Sequence, residues 1–421
     1  MVHRTSRSAV IALPLLLLAA GLGPGATAAG PDAGGDLVLA IEDVETFARA
    51  HSPRLRILAA GAAATAAERD QQRAWSDPAL AYDHEQADGF REWQVTLHKR
   101  LARPLRHGHL RGAWDQRVRA ADLEAAQATR DLLADLKTGY VELRLLESRL
   151  ERLARLEDVV AAAAGIAGHR QAAGAASGLD GRLVQLAAYT VEAAGRHARA
   201  THGRRLARWR ADMGIPSAQQ VLLVTEVGYR PVDEAAVAAA RGRLGDAPGE
   251  QAQVALVAAL GGLASAARPG LVPGLDLYGG YKSFAGDEDG FVAGVAIDLP
   301  LFGQGKGEAA RLEAERHAVA AGLAADRLRR DGEFTALVAA LRAAQPALAD
   351  FAARTGPVAL ADVLLVSYRE GAISLDDVLG AVQVETAALA AHHDELAAYY
   401  GDLFRLEALT GSRFVHFAPG E

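Results

Sequence analysis

The chain repeats itself once, at long range. Ser52-Pro53 recurs as Ala247-Pro248, Pro78-Ala79-Leu80 as Pro273-Gly274-Leu275, and Pro104-Leu105 as Pro300-Leu301. Gly174-Ala175-Ala176-Ser177 recurs as Gly371-Ala372-Ile373-Ser374, and Trp209 to Gly214 lies opposite Leu406 to Gly411. The offset stays near ~196 residues throughout, far longer than a solenoid period. One large unit is therefore present twice, over residues 29–224 and 225–421, with Val221 to Glu234 as the connector.

Both units read in the same order. A helical segment comes first, Val44 to Trp75 and then Glu250 to Ala267. Two strands follow: Ala79 to Gln86 and Phe90 to Lys99 in the first unit, Leu271 to Ser283 and Gly290 to Leu301 in the second. A helical hairpin closes each unit, over about 107–214 and about 305–411. The first long helix, His109 to Ala167, would run roughly 90 Å at 1.5 Å per residue. Leu143, Leu146, Leu150 and Leu153 follow coiled-coil spacing, as do Leu337, Leu341, Ala344, Leu348 and Phe351. Val382, Leu389, Leu396 and Leu403 recur every seventh residue, the period of a left-handed supercoil. Pro346 and Gly356-Pro357 predict a kink or a break.

The strands alternate. Trp93, Val95 and Leu97 point one way, and Glu92, Gln94, Thr96 and His98 the other. Phe291, Val295 and Ile297 share a face with Ala293 and Leu299. Leu275, Leu277 and Tyr281 oppose Asp276, Tyr278 and Lys282. One such hairpin would suit a soluble core. Two of them behind a secretion signal point to a membrane barrel, with Trp93, Val95, Leu97, Phe291, Val295 and Ile297 toward lipid.

That signal is residues 1–28: Arg4 and Arg7, an apolar run from Ala9 to Leu22, and the small-x-small site Ala26-Thr27-Ala28. Its loss would take the net charge from −7 to −9, because it carries two arginines and no acid. An acidic chain carries no electrostatic footprint for nucleic acid. There is no cysteine for disulfides, thiolate metal sites or a lipid anchor. No later stretch is an uninterrupted transmembrane helix, so entry into a membrane requires strands.

Four strands per chain cannot close a barrel, which needs about eight or more. Two chains supply eight, a barrel filled by its own side chains; three supply twelve, which leaves a lumen. A homotrimer follows from strand count plus the need for a pore.

The segment Ile297-Asp298-Leu299-Pro300-Leu301-Phe302-Gly303-Gln304-Gly305 resembles the second strand-to-helix junction of outer-membrane efflux proteins of the TolC type. Tyr368 to Leu379 resembles their helix-turn signature, and Ala48 to Pro53 their first helix, with Ser52-Pro53 where Asn-Pro is usual. The resemblance spans the mature chain. It implies a mainly α fold with a β contribution: a trimeric twelve-stranded β-barrel in the outer membrane of a Gram-negative bacterium, continued by a periplasmic α-helical coiled-coil tunnel. It also implies docking to a periplasmic adaptor and an inner-membrane pump, expected to be RND-type, with no catalysis and no cofactor in the channel.

Carried over by position, Gly371, Ala372 and Ile373, with Gly174, Ala175 and Ala176, match the tips that adaptor hairpins contact. A glycine that merely caps its helix would look the same. Tyr368 matches a gating tyrosine, and Asp377 a position where the family places a ring of carboxylates. Asp377 also suits an ordinary first-turn acid. Gly380 stands where a second carboxylate ring would be, and Ile373 replaces a basic residue that locks some relatives. The basic run Arg100 to Arg111 leans toward the heavy-metal efflux branch; drug efflux and type I secretion are alternatives. His84, His98, His107 and His109 lack a suitably spaced carboxylate or thiol, so no metal site is assigned. A periplasmic coiled-coil adaptor would carry one hairpin, not two. No phosphate loop, HExxH or GxSxG supports an enzyme.

Overall fold

A computed structural model describes residues 36–74, 76–87, 90–101, 104–174, 177–268, 274–284, 288–298, 305–354 and 360–417. The expected signal segment, residues 1–28, lies outside them. Strand β1 (Leu37–Leu39) leads to helices α1 (Asp43–His51) and α2 (Pro53–Arg73). The hairpin β2 (Ala79–Ala87) and β3 (Phe90–Leu101) follows, then α3 (Pro104–Ala172) and α4 (Gly178–Met213). The second unit runs β4 (Val221–Leu223), α5 (Glu234–Ala240), a 3-10 turn over Arg241–Asp246, α6 (Pro248–Ala267), β5 (Gly274–Phe284), β6 (Glu288–Asp298), α7 (Lys306–Arg354), α8 (Leu360–Glu370) and α9 (Leu375–Thr410).

The first helical segment is two helices. Ser52 precedes a proline, which disfavours the helical conformation, and it is extended at φ −61° and ψ 122°. Its hydroxyl donates to Asp212 O at 2.6 Å. Gly214, at φ 79°, completes this joint: a Cβ there would lie 2.3 Å from His51 O, so only glycine lets α4 end against α1. In the second unit Ala247 takes the same extended conformation before Pro248, without a side-chain cap.

Helix α3 is longer than expected, 69 residues, or roughly 100 Å. It packs on α2, α4, α6 and α9 and is the spine of the molecule. Helix α7 runs through Pro346 as far as Arg354, so no break falls there. Gly356-Pro357 lies outside the described residues. The apolar interior falls into two main clusters. One, around Tyr140, Leu143, Trp209, Met213, Leu348, Tyr400 and Leu403, joins both units at mid-height. The other, around Leu153, Val160, Val191, Tyr368 and Val382, lies toward the helical tips.

Strands β1 and β4 pair in parallel, Leu37 with Val221 and Leu39 with Leu223. The connector expected to start at Val221 thus begins with a strand. Three residues are too few for a periodicity to show in sequence. Tyr140 anchors this pair: its hydroxyl donates to Leu39 O at 2.9 Å and accepts from Thr225 N at 3.0 Å. Strands β2, β3, β5 and β6 form a separate antiparallel sheet in the order β2-β3-β5-β6. They pack on one another rather than on the helices.

Candidate functional site

The four-stranded sheet has two chemically different faces. Its register places Tyr82, Val95, Tyr281 and Phe291 in one row, and Leu80, Leu97, Gly279 and Ala293 in the next. Leu101, Leu275 and Ile297 share a further row, and Lys99, Leu277 and Val295 another. This apolar face is uncovered: Phe291 is 92% exposed and Leu80 73%. Trp93, Tyr281 and Phe291 form a chain of ring contacts at 5.8 and 5.9 Å toward the hairpin turns. Lys99 stands at the helix-side margin and donates to Ser76 O, carrying its charge off the apolar face. From Trp93 to Leu101 the strand rises about 26 Å at ~3.3 Å per residue, comparable to the ~25 Å apolar band of membrane barrels.

The opposite face is polar. Lys282 pairs with Glu92, Gln94 donates to Asp83 at 3.1 Å, and Thr96 Oγ1 lies 3.0 Å from His98 Nε2. Val295 and Ala296 therefore differ as alternation demands. Val295 lies between Leu277 and solvent, whereas Ala296 pairs with Asp276, which in turn pairs with Arg100. The sheet ends at β2 and β6, each with one edge unpaired within the chain. Among the described residues no helix is long and apolar enough to cross a membrane.

At the far end of the molecule lie the helical tips. Gly174 (φ 73°) ends α3 and Gly371 (φ 80°) ends α8. Gly371 N donates to Tyr368 O and Ala372 N to Ser367 O, the paired bonds of a Schellman cap. Each glycine is followed three residues later by a serine that starts the next helix. Ser177 N donates to Asp180 at 3.1 Å, and Ser374 N to Asp377 at 2.9 Å. Gly174, Gly371 and Ala372 are exposed, while Ile373 packs partly into the tip cluster. Ala175 and Ala176 lie outside the described residues.

The two expected gate residues are differently placed. Asp377 is exposed, and its carboxyl is held below the usual carboxylate range by the Ser374 hydroxyl and N–H, both of which donate to it. Tyr368 is only 3% exposed, packed inside one chain rather than facing outward. Arg170 covers it, a residue that sequence reasoning passed over. A cation in the last turn of a helix reads as an ordinary dipole partner, and nothing local marks its target 198 residues away. The four candidate histidines do not converge. His84 and His98 fall on opposite faces of the sheet, while His107 and His109 sit at the start of α3. Among the described residues no group of three or more metal-ligating side chains forms.

The sequence matches no protein-family model and no curated protein. Solved structures do match. A membrane protein from Pseudomonas aeruginosa superposes with a TM-score of 0.72 at 20% identity, covering 88% of this chain and 93% of that one. The CmeC outer membrane channel of Campylobacter jejuni gives 0.70 at 13% identity over 89% and 86%. The chain has the fold of an outer-membrane channel. The MtrE outer membrane channel of Neisseria gonorrhoeae, solved in its open state, shares this outer-membrane channel fold, with a TM-score of 0.69 at 15% identity over 88% and 89%.

Proposed function

We propose that this chain is the outer-membrane channel component of a tripartite efflux system, exported by its signal segment 1–28 and assembled as a homotrimer. The observation that carries the reading is the two-faced sheet. It has an uncovered apolar face, a polar face and two open edges. Open edges in lipid leave backbone groups unsatisfied, so copies must join edge to edge until the sheet closes. Three copies give twelve strands around a lumen lined by the polar face. Trp93, Val95, Leu97, Phe291, Val295 and Ile297 then face lipid. The helices of the repeats 29–224 and 225–421 extend the lumen as a periplasmic tunnel. The tips at Gly174 and Gly371, with Ala175, Ala176, Ala372 and Ile373, meet an adaptor that couples to an RND-type inner-membrane pump. Tyr368 and Asp377 belong to the tunnel mouth. Tyr368 acts there through its clasp with Arg170, and Asp377 through its helix cap.

The proposed cargo is a heavy-metal cation. On the polar face Lys282 pairs with Glu92 and Arg100 lies opposite Asp276, so Asp83 and Glu85 are the acids left to favour cations over anions, and Arg100 to Arg111 matches the basic turn of that branch. Drug or small-molecule efflux is the competing cargo. The channel reading is tested by fractionation followed by analytical ultracentrifugation in detergent. Outer-membrane location with a threefold mass is expected, and a stable monomer retaining its strands would end it. Export of metal salts against drugs, measured with the cognate pump and adaptor, decides the cargo.

A further inference from the structure

One level of the polar face runs straight across all four strands. Ala79 pairs with His98, His98 with Tyr278, and Tyr278 with Gly294. A side chain on a strand ordinarily stands perpendicular to the sheet. Tyr278 does not. A Cβ added to Gly294 would lie 2.3 Å from the Tyr278 Cζ and hydroxyl oxygen, so the ring lies down in the space that only glycine leaves. On its other side the His98 ring stacks at 5.3 Å, with an interplanar angle of 21°. His98 is itself steadied by Thr96, its buried neighbour on the same face of β3. The two large side chains at this level both lie along the wall.

We infer that Tyr278, laid flat over Gly294 and backed by His98, keeps the bore of the barrel open at this level. The inference rests on the proposal that the polar face lines the lumen. Three chains place three such rings at one level. Any side chain at position 294 evicts the ring, and the rotamers left to it point inward. The ring then obstructs by about its own length from three directions. A competing role is sheet protection, since an aromatic ring over a strand glycine shields exposed backbone. That role predicts altered assembly with an unaltered bore.

The natural chain has no cysteine, so Ala296→Cys would carry the sole thiol. Ala296 lies on the polar face, on the helix side of the Tyr278 level. Intact cells are treated from outside with a small charged maleimide and with a polymer-linked maleimide, and labelling is counted per assembled trimer. Both reagents should label A296C. Adding Gly294→Val should slow the polymer reagent several-fold and leave the small one unchanged, and adding Tyr278→Ala to that pair should restore the polymer rate. Should Gly294→Val assemble poorly, Gly294→Ala makes the same contact with one carbon and takes its place. An unchanged polymer rate in assembled Gly294 variants overturns the inference. So does loss of assembly in both variants that Tyr278→Ala rescues, which would assign the ring to the sheet alone. If A296C labels in detergent but with neither reagent on cells, the lumen assignment itself fails.

Discussion

Arg170 donates from Nη2 to the main-chain oxygen of Tyr368 at 2.8 Å and holds its guanidinium 4.5 Å from the centre of the Tyr368 ring. The contact ties the end of α3 in the first unit to the end of α8 in the second, beside both tips. The same guanidinium lies 3.7 Å from where a Cβ on Gly371 would be. One side chain thus couples the two turns.

Replacing Arg170 with alanine should uncouple them. The lost contacts are one charge-assisted hydrogen bond, about 1.5–3 kcal/mol, and a cation–π contact of about 0.5–2 kcal/mol. Both are toward their lower ends because Arg170 is only half-buried. Amide exchange should quicken at residues 166–174 and 366–372 together, while trimer yield stays unchanged. Lysine would keep the charge but not the planar stack, and should fall between the two. Unaltered exchange at either tip would show that the clasp carries no load.

The tip assignment is tested at Gly371. Any L-residue there incurs a left-handed backbone penalty of roughly 1–2 kcal/mol. Alanine carries that penalty without bulk and tryptophan carries it with bulk. If an adaptor must approach the backbone at the tip, Gly371→Trp abolishes export while Gly371→Ala keeps most of it, with trimers present in both. Equal export per trimer in the two variants, with normal adaptor crosslinking, would leave the glycine as a helix cap only. Gly174→Trp should act in the same direction.

The proposed membrane face is tested one strand position at a time. Val295 shares a row with Lys99 toward the helix-side margin, so arginine there would enter the lipid face off the midplane, at a cost below the about 2–4 kcal/mol of the midplane. Arginine at Ala296 would join the polar face near Asp276. Heat-stable trimer on gels should fall sharply for Val295→Arg and little for Ala296→Arg. The reverse order would shift the strand by one residue.

Acid should loosen the helices where α9 packs against α3 and α7. His392 stacks on Phe351 at 3.8 Å, His393 adjoins it, and Arg149 and Arg152 of α3 add positive charge. Burial pulls both imidazoles below their ordinary value. His393 is lowered to about 4, with His392 and the two arginines adding to the effect of burial. The fold therefore favours neutral rings. Their contribution is complete above the ordinary 6.5 and is lost as pH falls from there toward 4, because the unfolded chain takes up protons first. Amide exchange across 389–397, corrected for its intrinsic pH dependence, should rise between about pH 7 and about pH 5. His393→Leu should flatten that rise, and an equally steep rise in the variant would exclude the histidines.

Much of this architecture is set by neighbours in sequence. Alternation over Trp93 to Leu97 and Phe291 to Ile297 specifies strands with one apolar face, since successive side chains point to opposite sides. The same glycine, then a serine, then an aspartate three further on specifies both tips through caps that involve only nearby residues. The duplication specifies that whatever the first unit builds, the second builds again. What tertiary structure decided are the meetings between residues far apart. Leu37 to Leu39 became a strand only because Val221 to Leu223 lies alongside. Helix α7 kept its course through Pro346 while α6 and α9 packed along it, against the kink or break its proline predicts. Tyr368 stood out from its place in a motif, but only the fold brings Arg170 of the other unit over its ring. Likewise Tyr278 lies flat because the register brings Gly294, and no other residue, beneath it. Periodicity and caps are written within a turn or a strand, where the covalent chain holds the partners together. Register between segments far apart in the chain depends on packing, which no local pattern records.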